Sequence, residues 1–190
     1  DRKLDCNISI KLTGMGMDLG PEVVGANLDS LLVAAAKDGN FIRIDMEGSA
    51  YTERTLAAYR KARAGHPNVG IVIQAYLRRS AADIAALAAE GSAVRLCKGA
   101  YREPPELAFP EKPDVDANYA RLAETLLDPA AMNRGTRPAI ATHDPAMIDP
   151  IRLIVAERKI PLDRFEFQML YGIRRDLQKR IVAEGFNLRI

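Results

Sequence analysis

Val94-Arg95-Leu96-Cys97-Lys98-Gly99-Ala100-Tyr101 is the stretch whose reading decides the fold. It has the form of a short buried strand ending in a glycine turn, and it carries two cations and an aromatic. A strand covered on both faces of a parallel sheet is nearly all apolar. Arg95 in its middle and Lys98 at its end are costly there unless something anionic or dipolar meets them. The stretch therefore reads as the lining of a site for a large, electron-rich ligand.

The segments around it repeat one pattern of short apolar run, polar turn, amphipathic helix and glycine. Strands are expected at Asn7–Leu12, Phe41–Asp45, Val69–Ala75, Ala93–Lys98, Pro138–Thr142, Phe165–Leu170 and Asn187–Ile190. Pro21 suits the first turn of a helix reaching Lys37, with Gly39 just past its end. Further helices are expected over Thr52–Ala64, over Val115–Leu127, over Arg174–Glu184, and from a Ser80 cap to Gly91. Asp144-Pro145 is a strong helix start. The loop from Gly99 to Asp114, rich in proline, is long enough to be either functional or mobile. Alternating strands and helices mean a parallel sheet with right-handed crossovers. Gly14-Met15-Gly16 with Gly20 misses the dinucleotide fingerprint spacing, which leaves an open doubly wound sheet or a closed barrel.

Strand alternation favours the barrel. Asn7, Ser9 and Lys11 share one face of the first strand, and Arg43 and Asp45 one face of the second. Gln74 follows on the third, Arg95 and Cys97 on the fourth, and His143 past the fifth. Glu166 and Gln168, then Asn187 and Arg189, continue the series. A polar face on every strand must converge on something, because buried unpaired charge is severely unfavourable. A (β/α)8 TIM-type barrel brings the faces to one axis, with ligands at the C-terminal strand ends. Part of the series could instead be structural ion pairs: Arg43 with Asp45 or Glu166, and Arg189 with Glu166.

The 190 residues suffice for a single domain, and a net charge of +2 with dispersed cations argues against nucleic acid as partner. Cys6 and Cys97 fit reduced thiols in a cytoplasmic compartment. No apolar run reaches the length of a membrane span. His143-Asp144 is the one pairing that could suggest a metal, and Asp144 is better explained as a helix cap, so no metal is expected. No third group orients a Cys97 nucleophile, no pair of strand-end carboxylates suits glycoside chemistry, and no phosphate-binding glycine loop with lysine is present. The donors Lys11, Gln74, Arg95, Lys98 and Gln168, with the amides of Gly99 and Ala100, suit a cofactor with carbonyls and a pyrophosphate.

Six motifs in series carry a family resemblance: Ser9–Leu12 (SIKL), Ile44–Gly48 (IDMEG), Gln74–Tyr76 (QAY), Val94–Tyr101 (VRLCKGAY), Ala141–Asp144 (ATHD) and Phe165–Gly172 (FEFQMLYG). Their order and spacing closely resemble proline dehydrogenase, and the second motif is more similar to the single-function bacterial enzymes than to the fusions. The resemblance implies an FAD-dependent barrel over residues 1–190 that oxidises L-proline to 1-pyrroline-5-carboxylate and passes electrons to a membrane quinone. It implies a cytoplasmic protein with peripheral contact at the inner face of the membrane. By the same resemblance Lys11 holds the proline carboxylate, while Tyr101 and Leu170 wall its ring. Arg95 and Asp45 are the implied catalytic residues, with Arg95 at the flavin ring edge. Met46, Gln74, Lys98, Gly99, Ala100, Thr142 and His143 are the implied cofactor contacts. The family barrel has an earlier strand, and its last helix supplies an arginine pair, so the sequence reads as a core lacking its first strand and last helix. Arg174-Arg175 is not that pair, because it directly follows the sixth strand counted here. The amine-deprotonating base stays unassigned. Another flavin barrel, of the methylenetetrahydrofolate reductase kind, and a non-catalytic remnant are the competing readings.

Overall fold

The computed structural model describes residues 6–190, which divide into two compact units, the first ending at Val72 and the second running from Ile73 to Ile190. Among the described residues, seven strands lie side by side in chain order; the first three pair in parallel, and so do the fourth to the seventh.

In the first unit β1 (Ile8–Ile10) is followed by two 3₁₀ turns, Thr13–Met15 and Met17–Leu19, and then by α1 (Pro21–Lys37). Pro21 opens α1, where its missing N–H is no loss, and Gly39 adopts φ 64° past its end. Val24, Leu28 and Leu32 recur at helical spacing and are the buried stripe. β2 (Ile42–Ile44) and α2 (Ser49–Gly65) follow, and β3 (Val69–Gln74) crosses into the second unit. The first strand's apolar face is less covered than alternation suggests: Ile8 is 47% exposed. β1 lies at the margin of the sheet, paired on one side with β2.

The second unit continues with α3 (Ser80–Ala89), β4 (Ala93–Cys97), α4 (Lys112–Leu126), α5 (Pro129–Asn133) and β5 (Arg137–Ala141). It closes with α6 (Pro145–Glu157), β6 (Glu166–Gln168), α7 (Arg175–Ala183) and β7 (Leu188–Arg189). Buried Val94 and Leu96 alternate with half-buried Arg95 and Cys97 in β4, as strand geometry requires. Ile148, Ile151 and Val155 bury the inner stripe of α6. Phe165, Phe167 and Phe186 meet edge to face at 5.5–6.0 Å beside β6.

Several boundaries differ from expectation. The strands are shorter except β5, which keeps its length and begins one residue early, and α2 and α4 each begin three residues early, α4 because Pro113 fits its first turn. Helix α5 was not expected, although Asp128-Pro129 opens it as Asp144-Pro145 opens α6. Ser80 is the first residue of α3 and makes no cap; its hydroxyl accepts from Asn118 instead. The long loop is pinned. Leu77 and Ala108 form an antiparallel bridge, the Phe109 N–H donates to Tyr76 C=O at 2.8 Å, and Arg78 covers the Phe109 ring. Both cysteines are free thiols.

Candidate functional site

The strand-end residues of the first unit form one group. Lys11 follows β1 directly and is exposed. Asp45 and Met46 follow β2, and the Asp45 N–H donates to Ile10 C=O at 2.8 Å, which fixes Asp45 beside the end of β1. Glu47 stands next in the chain and had not been singled out as a site residue. Its carboxylate accepts from the Thr13 hydroxyl at 2.7 Å and from the Thr13 N–H at 3.2 Å. The turn that begins two residues after Lys11 is thereby tied to the turn after β2. Arg43 is buried with its guanidinium carbon 5.1 Å from the Phe41 ring centre.

In the second unit a row of polar side chains crosses three strands. The Arg95 Nε–H donates to Gln168 Oε1 at 2.6 Å, and Gln168 Nε2 donates to Glu166 Oε1. Arg189 reaches both Glu166 oxygens at 3.1 Å, so the Arg189–Glu166 pair anticipated as a structural alternative is present. The neutral amide of Gln168 separates the two guanidinium groups and orients that of Arg95. Gln74 is buried at the end of β3.

Lys98, one residue past β4, is bracketed by carboxylates. Its ammonium lies 2.5 Å from Asp116 Oδ1 and 2.8 Å from Asp144 Oδ2, and Lys112 contacts Asp116 and lies 3.5 Å from Asp144. The hydrogen bond from Lys98 holds the Asp144 carboxyl below the usual range, aided by the Ala146 N–H that the same side chain accepts in capping α6. Burial pushes the Asp116 carboxyl up, but bonds from Lys112 and Lys98 outweigh it and leave the group low. The four side chains sum to zero formal charge.

Gly99 has φ 112°, and a Cβ there would fall 2.2 Å from Cδ1 of Tyr76, so its backbone lies directly on that ring. Burial, helped by nearby Glu103 and Cys97, pushes the Tyr76 phenol up to about 12. Ala100 and Tyr101 follow, both exposed. From α4 the buried Tyr119 hydroxyl reaches Leu96 C=O at 3.3 Å and Ala141 C=O at 3.2 Å, bracing β4 against β5. Thr142 accepts the Asp144 N–H at 3.1 Å, and His143 Nε2 accepts the Leu170 N–H at 2.8 Å. An accepting Nε2 leaves the neutral imidazole proton on Nδ1. Leu170 follows β6 with its side chain exposed. Arg174, at φ 51°, forks onto Asp176 at 2.8–3.0 Å at the start of α7. No cluster of metal-ligating side chains occurs among the described residues.

A flavin dinucleotide asks for donors at its ring, close backbone approach and cations for its phosphates. Arg95 and Gly99 fit it: the one is an oriented guanidinium, the other a backbone that only glycine can bring so near Tyr76. Lys98 fits on the condition that a phosphate shares or replaces its carboxylate partners. Asp116 was not anticipated as a site residue: on a helix, four residues from Lys112, it reads as half of an ordinary surface pair, and nothing local points to Lys98. Gln178 was also missed, and its signal was a polar residue on the buried face of α7.

None of the described helices is long and apolar enough to cross a membrane. The chain is similar to Proline dehydrogenase 2 of Bacillus subtilis (strain 168), 40% identical over 190 residues, covering 100% of this chain and 61% of that one. Proline dehydrogenase of Deinococcus radiodurans is 43% identical over 188 residues, covering 96% and 59%. The chain thus spans about three-fifths of the curated relatives it matches. Among solved structures, proline utilization A from Bdellovibrio bacteriovorus, inactivated by N-propargylglycine, superposes with TM-score 0.86 at 30% identity, over 96% of this chain and 22% of that one. Proline utilization A from Corynebacterium freiburgense gives 0.82 at 25% identity, over 98% and 23%. The fold class is the β/α barrel expected from the strand pattern. The family model described as Proline dehydrogenase matches residues 2–190, and the chain belongs to the proline dehydrogenase family.

Proposed function

We propose that this chain is the flavin-binding core of an enzyme that oxidises L-proline to 1-pyrroline-5-carboxylate, with a membrane quinone as the final electron acceptor. FAD, when bound, supplies the acceptor for the hydride that leaves the proline carbon next to nitrogen. The protein's own part is to bind, orient and stabilise charge.

Lys11 holds the proline carboxylate as a point charge. Tyr101 and Leu170 cover the apolar ring, and Asp45 and Met46 complete the residues after β2. Arg95 offers a positive charge at a fixed point, so that negative charge developing at the cofactor ring meets a partner needing no reorganisation. The observation that carries this reading is the bond from Arg95 to Gln168, because it holds the Nε edge of the guanidinium in a fixed place on β4. Gln74 lies along the same cofactor, the amides of Gly99 and Ala100 and the ammonium of Lys98 take its phosphate side, and Thr142 and His143 extend that contact. The proposed location is the cytoplasm, with peripheral contact at the membrane where the quinone resides.

The test is the flavin absorbance of the purified whole protein under anaerobic conditions. Addition of L-proline should bleach it. Full flavin content with no bleaching by proline, and bleaching by a reduced nicotinamide instead, would overturn the substrate assignment.

A further inference from the structure

Leu170 combines an exposed apolar side chain with a firmly held backbone. It is 68% exposed, yet both its backbone polar groups are taken by side chains from other elements. Its N–H donates to His143 Nε2 at 2.8 Å, and its C=O accepts from Gln178 Nε2 at 3.1 Å. The same Gln178 nitrogen donates to Ile173 C=O at 2.8 Å, and the Ile173 N–H returns to Leu170 C=O at 3.3 Å. Two bonds from one buried amide therefore close the turn from Leu170 to Ile173.

Gln178 stands on the buried face of α7 with Leu177 and Ile181. A primary amide is an expensive occupant of that face unless bonded. An exposed turn, by contrast, can satisfy its carbonyls with water and needs no such help. A buried donor used in this way holds the Leu170 backbone, and with it the direction of the Cα–Cβ bond, at one place. That is of use when a ligand completes the contact.

We propose that Gln178 is a positioning residue for the substrate: through Leu170 it sets the space available to the five-membered ring of a cyclic amino acid. The inference rests on the function proposed above. Gln178 touches neither substrate nor cofactor. Its effect falls on how tightly and how selectively the ring is held, more than on the hydride step.

The test uses the flavin-loaded whole protein with Gln178→Met, which keeps the length and removes the donors, and Gln178→Glu, which keeps the shape. Loss of two amide–carbonyl bonds should raise KM for L-proline about tenfold. The preference for L-proline over its 4-hydroxy derivative should shrink by a similar factor, with kcat within about twofold of wild type. Amide hydrogen exchange should quicken at Leu170 and Ile173 and stay unchanged in the remainder of α7. If exchange quickens while KM and ring preference stay as in wild type, Gln178 is merely structural and the proposal fails. The same holds if neither exchange nor KM changes in either folded variant. If the wild-type protein does not oxidise proline, the functional reading falls first and this proposal with it. Wild-type turnover with indifferent variants removes this proposal alone.

Discussion

Gly99→Ala should be among the most damaging single-methyl substitutions in the second unit, and its cost can be divided in advance. A φ of 112° lies outside what L side chains adopt, a strain of about 1–3 kcal/mol. The added carbon would also stand 2.2, 2.5 and 2.7 Å from Cδ1, Cε1 and Cγ of Tyr76. That ring packs with Leu77, Ala108 and Val115. Its backbone is pinned to Lys98 C=O and to the Phe109 N–H, both at 2.8 Å, so it cannot simply recede. Overpacking of this kind adds about 1–3 kcal/mol. Urea unfolding of the whole protein should show both parts as a fall in midpoint at unchanged slope. In a Tyr76→Ala background the ring is gone, and the same substitution should retain only the backbone part. The cycle should return a coupling of about 1–3 kcal/mol. A single-variant loss under about 1 kcal/mol, or the same loss in both backgrounds, would refute the packing argument.

Asn118→Ala should cost about 2–3 kcal/mol, because the buried amide donates to Ala75 C=O at 2.6 Å and to the Ser80 hydroxyl at 2.9 Å; a calorimetric melt checks it. Asp116 and Asp144 have carboxyls held below their unfolded values, so the stability they add is complete above about pH 4 and is lost as pH falls through the folded values. Lys98→Met should flatten that acid limb in urea titrations between neutral and acid pH, and an unaltered limb would count against the pairing. The Tyr76 phenol, pushed up to about 12, contributes stability that is complete below about pH 10 and declines as pH rises towards 12. Tyr76→Phe should lose that decline, read from the same titration on the alkaline side.

The repeating order of strands and helices was legible in the sequence because each unit announces itself locally. Pro21, Asp144-Pro145 and Gly39 act within a turn of where they stand. Alternation in β4 was equally plain, since Arg95 and Cys97 are half-buried between Val94 and Leu96. It fails as a guide to exposure in β3, where all six residues are buried. Helix α5 went unseen for want of length: five residues carry no periodicity, and only the Asp128 cap marks it. At the candidate site the donors could be named, but their partners could not. Gln168 lies 73 residues from Arg95, Asp144 46 residues from Lys98, and Gln178 joins its loop through a side-chain amide whose partners no local pattern names. Pairings across such distances depend on register and helix placement together, which local periodicity does not encode.

Asp144 divides its carboxyl between two tasks: Oδ1 accepts from the Ala146 N–H at the head of α6, and Oδ2 accepts from Lys98. Asparagine, serine and aspartate serve almost equally as the opening residue of a helix. Only aspartate brings a negative charge. An exchange of Asp for Asn, which one base change in the codon achieves, would therefore leave the architecture standing while making its surroundings more cationic by one unit. The exchange would reset the affinity of this corner for anions while the helix keeps its cap, at the cost only of the stability that the charged carboxyl adds beside Lys98.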